Sequence, residues 1–217
     1  MATLIYLSPS SQPENTYAAG NTNEQEQCRR IADECEKALK RCGFDVINDQ
    51  IRPWKDRVAN SNKVKADLHV AIHTNAFDGK VAGTRIFYYA ETSAGKQAAV
   101  DIFYRLAPIT PGTSESVKAN PSLYELYATN APGVYVEVDF HDVPDVAMWI
   151  INHVKEIGEA IARGICDYYK VAWIPAEPQY LYRVQVGAFR NKQYAEDFLR
   201  LVREDFPDAY LIRNEVK

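Results

Sequence analysis

Two apolar runs in this 217-residue chain end in side chains able to do chemistry. The first, Ala66-Asp67-Leu68-His69-Val70-Ala71-Ile72-His73-Thr74-Asn75, stops in a His-x-Asn. The second, Gly133-Val134-Tyr135-Val136-Glu137-Val138-Asp139-Phe140, carries a carboxylate near its end. Short β-rich runs of this kind read as strands of a parallel sheet covered on both faces. In open α/β sheets, ligands bind beyond the carboxyl ends of the strands. An imidazole at one strand end and a carboxylate at another are the parts of a metal site and its general base.

The rest of the chain supplies the elements that must hold those ends in place. Leu4–Leu7 reads as a first strand. Thr22 and Gln25 read as a capping box for a helix that carries Cys28, Ile31, Ala32, Cys35, Ala38, Leu39 and Cys42 on one face and ends at Gly43. Phe44–Ile47 is a strand, Trp54–Lys65 a helix, Leu68–Ile72 a strand, Arg85–Tyr89 a strand and Ala94–Leu106 a helix. A loop rich in Pro, Gly and Ser leads to a short helix at Leu123–Tyr127. The strand Val134–Val138 follows, then a last long helix, Val143–Tyr169, which Asp142 is placed to cap. Strands alternating with helices give an α/β fold with a mainly parallel sheet flanked by helices.

Composition narrows the class. Hydrophobic residues make up 47% and charged residues 25%, ordinary values for a globular protein, and the formal charge of −4 argues against a nucleic-acid partner. No stretch reads as a signal peptide or as an apolar span of about 18 residues, so the expectation is a chain made in the cytoplasm with no membrane partner. Cys28, Cys35 and Cys42 recur every seven residues, about 10 Å apart along a helix, which is too far to share a metal or a disulfide. With Cys166 they are expected in the core.

Residues 1–171 resemble the zinc-dependent N-acetylmuramoyl-L-alanine amidases of autolysins and phage endolysins. The resemblance rests on Ala66-Asp67-Leu68 through Ile72-His73-Thr74-Asn75-Ala76, on Asn130-Ala131-Pro132 through Phe140, and on Glu24 lying 19 residues before the helix-ending Gly43, with Arg57 and Asn62 also in place. It implies a Zn2+ cofactor with Glu24 and His73 as ligands, Glu137 as the catalytic carboxylate, and Asn75 holding the His loop or touching substrate. It also implies peptidoglycan as partner, cut at the amide between muramic acid and L-alanine after lysis, holin-type release or non-classical export. One departure stands out. The family's first strand ends in Gly-His, a metal ligand, whereas this chain has Pro9-Ser10-Ser11-Gln12. Hydroxyl and amide are poor zinc ligands. His141 is the first substitute, four residues after Glu137, with Glu14 and Asp139 behind it. His69 is not, because four strand residues place it roughly 13 Å from His73; it reads as a hydrogen-bonded core residue, and His153 as helix surface. Tyr124 and Tyr127 either stack on sugars or pack.

Residues 172–179 form a proline-marked linker. Residues 180–217 read as one β-α-β unit: strand Tyr182–Phe189, helix Gln193–Glu204 and strand Ala209–Ile212. This unit is similar to half of a SPOR peptidoglycan-binding module, and its unpaired edge suggests a homodimer through the C-terminal module. The alternative to an enzyme is a non-catalytic wall-binding protein that kept the fold and lost its metal.

Overall fold

A computed structural model of the chain describes residues 2–177 and 185–213. It divides into two compact units, Met1–Ala176 and Glu177–Lys217. In the first, six strands, β1 (Leu4–Pro9), β2 (Asp45–Asn48), β3 (Leu68–Asn75), β4 (Arg85–Tyr88), β5 (Ser116–Ala119) and β6 (Gly133–Phe140), form one sheet in the order β2-β1-β3-β6-β4-β5. The first four in that order run parallel; β4 is antiparallel to β6, and β5 is parallel to β4. The carboxyl ends of β1, β3 and β6 therefore meet side by side.

The period-two alternation of the strands divides the labour of the two faces. Ile5, Leu7, Leu68, Val70, Ile72, Val134, Val136 and Val138 join the core with the helices α1 (Glu24–Arg41), α3 (Gly95–Leu106) and α6 (Val154–Tyr169). The opposite face presents Tyr6, Ser8, His69, His73, Tyr135 and Glu137. The helix α2 (Trp54–Val64) packs against β1 there, and the short turn α4 (Tyr124–Tyr127) against β6. All four cysteines are buried with free thiols, as the helical spacing of Cys28, Cys35 and Cys42 predicts for those three.

Several elements differ from the sequence reading. The cap of α1 is Asn23, whose side chain accepts from the Glu26 N–H at 2.9 Å; Thr22 instead donates to the Glu26 carboxylate at 2.7 Å, so the helix starts one residue later than the Thr22–Gln25 box. The last long helix is two, α5 (Pro144–Asn152) and α6, broken at His153. The apolar spacing Val146, Ile150, Val154, Ile157, Ile161 runs through the break in step, which hides it from periodicity. His153 is not simply surface: its ring stacks on Trp149 and its Nδ1 lies 2.7 Å from the Trp149 carbonyl. Asp142 does not cap α5; its Oδ2 accepts from the N–H groups of Phe77 and Gly79, both at 2.8 Å, and ties down the loop after β3. The strand β5 lies where the sequence reads as loop, since Ser-Val-Lys-Ala has little β character and pairs only with β4.

In the second unit the expected helix is present as α7 (Lys192–Asp205), capped by Asn191, with Phe189 packed on Phe198. Of the expected strand Tyr182–Phe189, residues 182–184 lie outside the described residues, and 185–189 are not a strand; nor is Ala209–Ile212. A single β-α-β unit offers its strands few partners. Among the described residues no helix is long and apolar enough to cross a membrane.

Two glycines let α6 lie close to both of its neighbours. A Cβ at Gly158 would fall 2.7 Å from the Ile31 carbonyl on α1, and one at Gly164 would fall 2.4 Å from the Ile102 Cα on α3. Since backbone atoms must move to make room, Gly164→Ala should destabilise the fold by about 1–3 kcal/mol in urea unfolding. An unchanged midpoint would mean that the helices are looser than this packing implies.

Candidate active site

The site is built at the carboxyl edge of β1, β3 and β6. Glu24 opens α1, where the helix dipole favours a negative charge. The preceding loop folds back so that Asn15 grips it twice: its carbonyl accepts the Glu24 N–H at 2.9 Å, and its side-chain amide donates to Oε2 at 2.6 Å. Oε1 faces Nδ1 of His73 at 2.7 Å and receives the Thr74 N–H at 3.4 Å. The His73 ring stacks on Tyr135 with centroids 4.4 Å apart. Its other nitrogen, Nε2, lies 3.8 Å from Oε2 of Glu125, on α4. The remaining oxygen of Glu125 accepts from Ser8 Oγ at 2.5 Å and faces His69 Nε2 at 3.2 Å. Glu137 sits directly across from His73 in the β3–β6 register, after which β6 carries one extra residue. Its Oε2 is buried with no hydrogen-bond partner among the described residues.

The charges are uneven: three carboxylates surround one imidazole. Burial opposes ionisation of Glu24, but His73 and Asn15 hold it below the ordinary carboxylate range. Burial likewise opposes the charge on Glu125, which His69 and His73 keep well below that range. Burial would lower His73, yet Glu125 and Glu24 drive it up to about 10. Glu137 has no such help. Burial, with Glu24 adding repulsion and His73 opposing, pushes it up to about 8. A cation between Glu24 and His73 suits this donor set. The carboxylate and imidazole converge, the excess of negative charge needs a counterion, and the unpartnered Glu137 oxygen lacks a positive partner.

Glu24, His73 and Glu137 thus come together. Asn75 ends β3 with its side chain accepting the Ala76 N–H at 2.8 Å, which shapes the His loop. His141 is not brought to Glu24 and His73. Its main-chain N–H is held by the Asn75 carbonyl at 2.8 Å, its ring stacks on Tyr17, and its Nδ1 lies 2.9 Å from Thr74 Oγ1. Asp139 is committed to the N–H groups of Gly83 and Phe140, both at 2.7 Å, and Glu14 is exposed on the rim. Among the described residues, no group of three or more His, Cys, Asp or Glu side chains is arranged to hold a metal ion. His73 lines a cleft of about 680 Å³ together with Ser10, Gln12, Glu14, Trp54, Tyr124 and Tyr127. Tyr124 packs edge-on against both Trp54 and Tyr127. Sequence reasoning missed Asn15, Ser8 and Glu125. A glutamate inside the otherwise apolar Leu123-Tyr124-Glu125-Leu126-Tyr127 was the available signal, together with His69, a buried imidazole that needed a partner.

A profile described as N-acetylmuramoyl-L-alanine amidase, Amidase_3, matches residues 9–167. The chain belongs to that family. An uncharacterised cell wall amidase of Bacillus anthracis is 31% identical over 128 residues, covering 52% of this chain and 23% of the relative. An uncharacterised 38.4 kDa protein of Clostridium perfringens is 30% identical over 160 residues, covering 69% and 46%. The chain therefore spans less than half the length of either relative. The fold matches the catalytic domain of CwlV, an N-acetylmuramoyl-L-alanine amidase from Paenibacillus polymyxa, with a TM-score of 0.70 at 20% identity, over 79% of this chain and all of that one.

The raised Glu137 carboxyl has a consequence for stability. Between pH 4.5, its ordinary value, and about 8, the folded chain keeps a proton that the unfolded chain has lost, so the group costs stability as pH rises through that window. In chelator, Glu137→Gln should melt higher than wild type at pH 8, by on the order of 1 kcal/mol or about 2–4 °C. The gap should close below pH 4.5. A gap that does not vary with pH would show that Glu137 is ordinarily ionised.

Proposed function

We propose that this chain hydrolyses peptidoglycan at the amide between N-acetylmuramic acid and L-alanine of the stem peptide. Glu24 and His73 would hold a zinc ion, Glu137 would act as general base and acid, and Asn75 would shape the substrate side of the His loop. The observation that carries this reading is the 2.7 Å convergence of Glu24 and His73 across the sheet register from Glu137, in a chain of the amidase family.

Bound zinc supplies a Lewis acid for the scissile carbonyl and brings the pKa of a bound water near 7. The protein's own residues do the rest. With a cation offsetting Glu24, the Glu137 carboxyl would fall below about 8 and ionise at neutral pH, where it would take a proton and return it to the leaving amine. Asn15 and Thr74 fix the Glu24 carboxylate, and Tyr135 fixes the plane of the His73 ring. His141, through Thr74, buttresses the strand end. The cleft, lined by Ser10, Gln12 and Glu14 and by Trp54, Tyr124 and Tyr127, would take the substrate chain. In the second unit, Asn191, Ala195 and Phe198 keep the SPOR-like pattern, which supports a wall-binding role for that unit.

Ser10 and Gln12 stand where the resemblance places a histidine, and they face each other at 3.4 Å. With two protein ligands instead of three, zinc should be held weakly. Activity on purified cell walls should vanish on dialysis against chelator and return as free zinc is titrated back. Glu137→Gln should lower the rate by about 10²–10⁴-fold at saturating zinc. Release of new amino groups by Glu137→Gln at the wild-type rate would remove Glu137 from the chemistry. No release by zinc-saturated wild type would favour a wall-binding protein without activity.

A further inference from the structure

We propose that Glu125 positions His73, keeping a proton on Nε2 so that a metal can replace the proton that Nδ1 donates to Glu24. This rests on the metal site of the preceding reading and adds to it a residue that no motif singles out. Glu125 is 4% exposed, on a four-residue helical turn packed against β6. Its two oxygens are divided between tasks. Oε1 is taken by Ser8 at 2.5 Å and His69 at 3.2 Å, which leaves Oε2 for His73 Nε2 at 3.8 Å. His69 in turn is fixed by stacking on Tyr6, whose hydroxyl donates to Asp49. The anchor is therefore built into the sheet and does not depend on a surface loop.

The arrangement around the His73 ring is complete on three sides. Glu24 faces Nδ1 at 2.7 Å, Glu125 faces Nε2, and Tyr135 covers the ring plane at 4.4 Å. The two carboxylates meet different ring nitrogens, so Glu24 and Nδ1 would hold the metal and Glu125 would not. This makes Glu125 a positioning residue and not a ligand. A carboxylate on the far nitrogen of a metal-binding imidazole fixes its tautomer and strengthens it as a donor. In a site with a ligand missing from the first strand, that support bears directly on how tightly the metal is held.

The test compares Glu125→Gln, which keeps an oxygen acceptor for Nε2–H, with Glu125→Leu, which removes it. Zinc affinity of the full chain is read by competition with a chromogenic chelator. Glu125→Leu should bind zinc about 10–100-fold more weakly, and Glu125→Gln should stay within a few-fold of wild type. Nitrogen-15 NMR of the zinc-loaded protein should show His73 protonated at Nε2 in wild type and Glu125→Gln. Unchanged affinity in Glu125→Leu, or a proton on Nδ1 in loaded wild type, would overturn the proposal. An equal loss in both variants would also overturn it, by making the carboxylate itself a ligand. If Glu125→Leu does not fold, Glu125→Asp, which withdraws the carboxylate but keeps its charge, serves in its place. If wild type binds no zinc, the metal reading fails, and metal-free wild type still decides for Glu125. There, slow solvent exchange of the His73 Nε2–H, lost in the variant, supports the positioning role, and fast exchange in wild type refutes it.

Discussion

One buried imidazole set among three carboxylates is the constraint on which the strand ends depend. Carboxylates taken out of water cost several kcal/mol each unless they are paired and hydrogen-bonded. Glu24 meets that cost with His73 and Asn15, and Glu125 with His73, His69 and Ser8. Glu137 has no such partners, and its raised affinity for a proton is the physical result. The same shortage of positive charge that holds the proton on Glu137 makes the pocket receptive to a cation.

The sheet creates this crowding through its register. Parallel pairing of β1, β3 and β6 brings Pro9 beside Ile72 and His73 beside Glu137. The extra residue in β6 then turns the chain so that His141 meets the Asn75 carbonyl and Thr74, not the charged cluster. Arg57, buried on α2, donates to the Pro9 carbonyl and so fixes the β1 end from below. Asn62 holds the turn before β6 by accepting from the Asn130 N–H at 2.7 Å and donating to the Ala128 carbonyl at 2.9 Å. These two residues are scaffold for the site and need no contact with substrate.

The fold was legible where the apolar pattern had one meaning. The runs around Val70 and Val136 could only be central strands, and the Cys28–Cys42 stripe could only face a core. The break at His153 was not legible, because the buried positions stay in phase across it, and neither was β5, whose residues are held by pairing more than by their own preference. At the site, His73 and Glu137 were readable as candidates because each sits near a strand end, whereas Glu24 was readable only through its family spacing to Gly43. Glu125 and Ser8 were not. Their roles arise from contacts between residues 117 apart in sequence, on a turn too short to announce itself. His141 was placed by sequence distance along its strand, and the extra residue in β6, invisible in sequence, redirects it.

The most direct test is an anomalous difference map at the zinc edge from crystals of the full chain grown with zinc at neutral pH. The predicted result is a single strong peak bordered by Oε1 of Glu24 and Nδ1 of His73, absent in His73→Ala. Zinc bound only elsewhere, or no peak at saturating zinc, would contradict the assignment of these two residues as the metal ligands.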